Sequence, residues 1–161
     1  MENHLLPLKT DFGLIREARP SDADRLLDMI GQLAAHHGDT PALSRDDLLR
    51  DAFGDAPWIS ILVAETKETL VGYAALCGRI QLHFGARGMD MHHLFTDPTH
   101  RGRGIGRGLV AACQIKAVSL SCRYMTVGTH PDNLTAQAFY VAAGFERQDA
   151  SPPRFSMRLV A

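Results

Sequence analysis

The 161-residue chain lacks most of the features that would place it in a specialised class. Its three cysteines, Cys77, Cys113 and Cys122, are odd in number and without C-x-x-C spacing, which argues against a disulfide framework and a thiolate zinc site. No stretch approaches the roughly 18 consecutive apolar residues of a membrane-spanning helix, and Met1 to Asp11 shows no basic patch followed by an apolar run. Charge of one sign is missing too. Seventeen Lys and Arg against 18 Asp and Glu leave a formal net charge of −1, unlike the strongly basic domains that grip nucleic acid. These absences predict a soluble, cytoplasmic protein with reduced thiols and neither a membrane nor a nucleic-acid partner. With 45% hydrophobic and 22% charged residues, the length suits one globular domain over residues 1–161, with about residues 1–10 as a flexible extension.

The charge is unevenly spread. From Pro98 to Pro131 there are five basic residues (Arg101, Arg103, Arg107, Lys116, Arg123) and no acidic one, so the remainder carries 12 − 18 = −6. One cationic segment in a neutral protein suits capture of a discrete anion better than of a polyanion.

Periodicity orders the elements. Leu14 to Ala18 reads as a strand; Pro20 to Asp24 then opens a helix with Leu26, Leu27, Ile30, Leu33 and Ala34 at three- and four-residue spacing. Ser44 to Asp47 caps a second helix through Phe53. Trp58–Glu65 and Leu70–Leu76 form a hairpin around a polar turn, and Met89–Thr96 is a strand that Asp97-Pro98 stops. A helix runs from Ile105 to Leu120, followed by a strand at Arg123–Gly128. Asn133 caps a last helix with Phe139 and Tyr140, and strand-like pieces at Phe145 and Phe155–Val160 close the chain.

The glycine-rich run Arg101 to Gly108 sits between a strand and a helix start, where free amides, the helix dipole and the small size of glycine favour anions. It does not match the dinucleotide fingerprint. GxGxxG requires glycine at Arg107 in one register and at Leu109 in the other. GxxxxGK[ST] has no match, and the chain holds only Lys9, Lys67 and Lys116 as lysines.

What does fit is R-x-x-G-x-G, as Arg101-Gly102-Arg103-Gly104-Ile105-Gly106, after Leu94-Phe95-Thr96-Asp97-Pro98 and before Asn133 and Phe139-Tyr140-x-x-x-Gly144-Phe145. In these elements and their order the chain resembles the GNAT superfamily of N-acetyltransferases, and within it the diamine (spermidine/spermine) and thialysine enzymes. The resemblance implies a single-domain α/β (α+β) fold, with a central mixed, largely antiparallel twisted sheet of six or seven strands flanked by about four helices. It implies acetyl-CoA as co-substrate, held by Leu94, Phe95, Thr96, Arg101, Gly102, Arg103, Gly104, Ile105, Gly106, Arg107, Asn133 and Tyr140. It also implies acetyl transfer to a primary amine of a small molecule by direct attack in a ternary complex, and a homodimer. The alternatives are a catalytically weak acyl-CoA sensor and a peptide or protein amine acetyltransferase.

A lysine-like amine with a pKa of about 10.4 is neutral to only about one part in a few thousand at pH 7, so a base must act. Tyr140 corresponds to the family's general acid toward the leaving thiolate. His92 and His93 fall where the diamine enzymes carry two carboxylates, and His36 and His37 fall near an aromatic-acidic pair of the amine pocket; Leu82 stands at another pocket acid. The catalytic candidates are therefore Tyr140, His92 and His93, and His36, His37 and His92 are the substrate-binding ones. A histidine or a chain of waters is the base. Strand alternation sends only one of His92 and His93 into the cleft unless a bulge intervenes. Imidazoles suit a dicationic acceptor less well than carboxylates. The histidine spacing completes no recognised metal site, so no metal is expected.

Overall fold

The computed structural model describes residues 5–67, 69–149 and 152–159. They fall into two compact units, Met1–Gly128 and Thr129–Ala161. The first contains a hairpin, β1 (Leu8–Thr10) and β2 (Gly13–Glu17), two helices, α1 (Ala23–His36) and α2 (Arg45–Phe53), and the strands β3 (Ser60–Glu65), β4 (Leu70–Gln81) and β5 (Ala86–Thr96). Helix α3 (Ile105–Ser119) and strand β6 (Tyr124–Val127) complete it, and the second unit holds α4 (Leu134–Ala142). The six strands form one sheet in sequential order. Neighbours are antiparallel except β5 and β6, which the α3 crossover makes parallel. A mixed, largely antiparallel sheet with four α-helices is the architecture expected from the sequence.

Two local differences have physical causes. Within the stretch read as an extension, Leu8–Thr10 pairs with β2 as a strand, and three residues are too few to show alternation in sequence. Residues 145–149 and 152–159 carry no strand, and Val160 lies outside the described residues. The alternation of Phe155, Met157 and Leu159 specifies a face, but a strand also needs a partner, which no composition supplies.

Two layers cover the sheet. On α1, Ala23, Leu26, Met29 and Leu33 are buried at helical spacing and pack with Leu48 of α2 against Ile61, Val63, Tyr73, Ala75 and Phe95. The opposite face receives α3 through Ile105, Leu109, Val110, Ala112, Cys113 and Ala117. Burying one such large apolar side chain contributes roughly 1.5–3 kcal/mol. At Gly72 of β4 an added Cβ would lie 2.6 Å from the Phe95 carbonyl oxygen and 3.2 Å from Ile105, so glycine lets the first turn of α3 settle onto the sheet. The caps follow the sequence reading. Ser44 and Asp47 close a reciprocal box at 3.0 and 3.1 Å, and the Asn133 side-chain oxygen accepts from the Ala136 N–H at 3.0 Å.

One charged pair lies in this core. Arg16 of β2 donates to both Asp22 oxygens at 2.8 and 3.0 Å, and to Glu65 at 3.1 Å. Burial alone pushes the Asp22 carboxyl up. The Arg16 hydrogen bonds and the Arg19 N–H overcome that and hold it below the usual carboxylate range.

Candidate active site

The Gly-Arg loop joins β5 to α3. Gly102 and Gly104 adopt φ +78° and +79°, the left-handed region that glycine enters without a Cβ penalty. Gly104 is the N-cap of α3 and Gly108 N–H closes the first turn onto its carbonyl at 3.0 Å. The amides of Ile105, Gly106 and Arg107 are thus first-turn donors without helical partners. The Arg101, Arg103 and Arg107 side chains have no hydrogen-bond or ion-pair partner among the described residues, and all three are exposed. A depression of about 530 Å³ opens beside Arg103, lined also by Asp11, Phe12, Lys67, His100 and Ile105. Unpaired cations beside free helix amides make a candidate anion cradle.

The strand end that leads into the loop is fixed by Asp97, which accepts from the Thr99 N–H at 2.9 Å, the Thr99 hydroxyl at 2.8 Å and Arg25 of α1 at 2.9 Å. Those bonds, the Thr99 amide first, hold its carboxyl below the ordinary range.

Beside the cradle, β5 has a free edge. Its pairing with β6 runs from Gly88–Tyr124 to Met91–Val127 and stops, while its pairing with β4 continues to Thr96. Asp97 N–H donates to the Val71 carbonyl at 2.8 Å. Alternation therefore turns the amides of Phe95 and His93 toward β4, and those of Leu94 and Thr96 toward the open edge. Of Leu94, Phe95 and Thr96, the strand residues implied to hold acetyl-CoA, two turn their amides to the open edge and Phe95 does not.

The pairing with β4 shifts by one residue where the cleft begins. Ala75 opposes His93 and Leu76 opposes Met91, so His92 is the extra residue of a β-bulge. Consecutive strand residues would diverge, but here the His92 and His93 rings stack with centroids 4.4 Å apart and planes 13° from parallel. Both histidines therefore lie on the face that carries Tyr73, Phe95 and α1. His92 is exposed. His93 is half-buried, and its Nδ1 lies 3.0 Å from the hydroxyl of Tyr73. Burial first, then the neighbouring His92 and His37, lower the His93 pKa from 6.5 to about 4, so it is neutral near pH 7.

His36 and His37 end α1, both exposed, with rings 5.8 Å apart. His37 is near enough to disfavour a proton on His93. Leu82 is exposed on a short 3₁₀ turn between β4 and β5. Among the described residues no group of three or more His, Cys, Asp or Glu is placed to hold a metal ion.

In the second unit, Asn133 caps α4 with its side-chain oxygen, which leaves its NH₂ group available. Tyr140 is half-buried, edge-on to Phe139 at 5.4 Å and to Phe145 at 5.8 Å. Burial raises its pKa, so the phenol keeps its proton near neutrality.

Sequence reasoning missed Tyr73 and left open whether a bulge intervenes. Tyr73 sits in an apolar strand run, LVGYAAL, and reads as core, while no glycine or proline marks His92 as an inserted residue.

The family model described as Acetyltransferase (GNAT) family matches residues 28–145. A protein of Mycobacterium leprae is 34% identical over 133 residues, covering 83% of this chain, which spans 34% of that protein's length. A thialysine N-epsilon-acetyltransferase of Bos taurus is 27% identical over 143 residues, covering 83% of this chain and 84% of its own. Among solved structures, an aminoglycoside N-acetyltransferase, AAC(6')-Iy in complex with CoA, superposes with a TM-score of 0.68 at 20% identity, over 89% of this chain and 99% of its own. The chain belongs to the GNAT acetyltransferase family and is an acetyl-CoA-dependent N-acetyltransferase.

Proposed function

We propose that this enzyme moves the acetyl group of acetyl-CoA to a primary amine of a small molecule, such as a diamine or an amino acid, by direct attack in a ternary complex. The observation that carries this reading is the bulge that brings His92 and His93 to one face beside the open edge of β5. The likeness to a thialysine acetyltransferase over most of both chains supports a small amine acceptor.

In this reading the loop amides and Arg101, Arg103 and Arg107 bind the pyrophosphate of CoA, with Gly102, Gly104, Ile105 and Gly106 shaping that grip, while Asn133 lies with Tyr140 beside the pantetheine and thiol. The Leu94 and Thr96 amides orient the acetyl carbonyl. A histidine takes the proton of the substrate ammonium. The amine nitrogen then bonds to the carbonyl carbon, the C–S bond breaks, Tyr140 gives its proton to the departing sulfur, and the nitrogen passes its surplus proton through water back to the Tyr140 phenolate. His36, His37 and His92 border the acceptor amine. Imidazoles in place of carboxylates favour an acceptor with one amine near this pocket over a polycation. Residues 1–161 act as one catalytic domain, working as a homodimer in the cytoplasm without a metal.

The experiment is acetyl-CoA turnover against a panel of diamines, amino acids and peptide amines, with Tyr140→Phe beside wild type. The expected result is turnover of a small amine that falls about 10²-fold or more in the variant. Undiminished turnover in Tyr140→Phe removes the acid role. Tight CoA binding measured by calorimetry, with no transfer to any amine, replaces the enzyme reading with a sensor.

A further inference from the structure

The hydroxyl of Tyr73 is a buried polar group in an apolar setting. The residue is completely buried, 0% exposed, among Ala75, Phe95 and the α1 side chains. Its one hydrogen-bond partner among the described residues is His93 Nδ1 at 3.0 Å, and no buried side-chain oxygen or nitrogen is left without a partner. Burial raises the phenol pKa, so the oxygen keeps its hydrogen.

The placement of one hydrogen then decides a tautomer. A buried O–H that donates to nothing leaves its desolvation uncompensated. If His93 carried its hydrogen on Nδ1, that N–H would point at the phenol oxygen and the phenol hydrogen would have nowhere to go. If Nδ1 is bare, the phenol donates to it and both groups are satisfied. A neutral imidazole with bare Nδ1 carries its hydrogen on Nε2.

We propose that Tyr73 is a positioning residue that fixes His93 as its Nε2–H tautomer, making His93 a hydrogen-bond donor within the acceptor site and leaving His92 as the proton acceptor of the pair. This rests on the proposed amine acetyltransfer for its catalytic meaning, though not for the tautomer itself. The groups that bear on His93 are Tyr73 from β4, His92 beside it on β5 and His37 from α1. Two stacked imidazoles 4.4 Å apart do not readily carry two protons, and His93 is the more buried of the two, so the proton taken from an ammonium settles on His92. His93 neutral, with Nε2–H outward, donates to a lone pair, such as that of the amine nitrogen once deprotonated or of a water beside it.

The test is long-range ¹H–¹⁵N correlation spectroscopy of the imidazoles in the uniformly labelled full chain near pH 7.5, with the His93 signals assigned by their loss in His93→Gln. The expected pattern is a protonated Nε2 and a bare Nδ1 for His93, which Tyr73→Phe converts to averaging over both nitrogens. In turnover, Tyr73→Phe lowers kcat about tenfold without changing the KM for acetyl-CoA. A His93 protonated on Nδ1 in wild type, or a pattern untouched by Tyr73→Phe, overturns the proposal; the wild-type spectrum alone decides it if the variant folds poorly. A chain with the expected tautomer that acetylates no amine sinks the proposed function and leaves the Tyr73–His93 relation standing.

Discussion

His92 and His93 are consecutive on β5, yet their imidazoles stack 4.4 Å apart because the strand inserts His92 as a bulged residue opposite β4. Alternation alone would separate them to opposite faces of the sheet. The bulge coincides with the end of the β6 pairing, so the point where the sheet opens is the point where two titratable side chains are re-aimed together. Burial distinguishes them: one is exposed and the other is held neutral by its surroundings.

That asymmetry sets different outcomes for the two substitutions. His92→Gln is expected to lower kcat/KM by about 10²-fold or more. His93→Gln should lose about tenfold. Steady-state rates of the two variants beside wild type check this, and a larger loss in His93→Gln than in His92→Gln reverses the assignment.

His93 also makes stability depend on pH. Its folded pKa of about 4 lies below the ordinary 6.5, so the folded state binds protons less readily than the unfolded chain. The contribution is fully present above about pH 6.5 and is lost as pH falls toward 4. Allowing for its partial exposure, the loss is up to about 2 kcal/mol. Denaturant midpoints for wild type and His93→Gln should converge in slope outside this window, with the variant flatter inside it.

Removing Arg16 should be the costliest single charge change. Arg16→Met leaves Asp22 buried without its two guanidinium bonds, which by analogy with other broken buried pairs costs about 3–5 kcal/mol in unfolding free energy. Adding Asp22→Leu to Arg16→Met should recover a large part of that loss. Because Asp22 titrates below the ordinary range, its own contribution is present above about pH 4 and disappears only as pH falls further, below the His93 window.

The three loop arginines should act on CoA and leave the fold intact. Having no partner in the described protein, Arg101→Ala, Arg103→Ala and Arg107→Ala should each leave the melting temperature unchanged. Each should weaken CoA binding by about 1 kcal/mol, roughly fivefold, with a shallower salt dependence. Calorimetric titrations at two ionic strengths test this, and unchanged affinity in all three removes the anion cradle.

Short-range signals made much of this protein legible in its amino acids. The helical spacing of Leu26, Ile30 and Leu33, the Ser44–Asp47 box, the Asn133 cap and the run Arg101 to Gly108 each depend on residues within a few positions of one another. Propensity, capping and glycine φ act at that range. The acid-free stretch around the loop likewise points to capture of a discrete anion.

Pairing and packing decided the rest. Whether Leu8–Thr10 becomes a strand, whether the end of the chain does, and where β5 parts from β6 depend on partners far away in sequence. The bulge at His92 arises from register with β4, and the contact of Tyr73 with His93 joins residues 20 apart that only that register brings together. Sequence thus supplied the loop and the list of histidines. The fold alone determined that two of them share a face, that one is half-buried and neutral, and that a core tyrosine holds it, because burial and hydrogen-bond partners are properties of the packed chain.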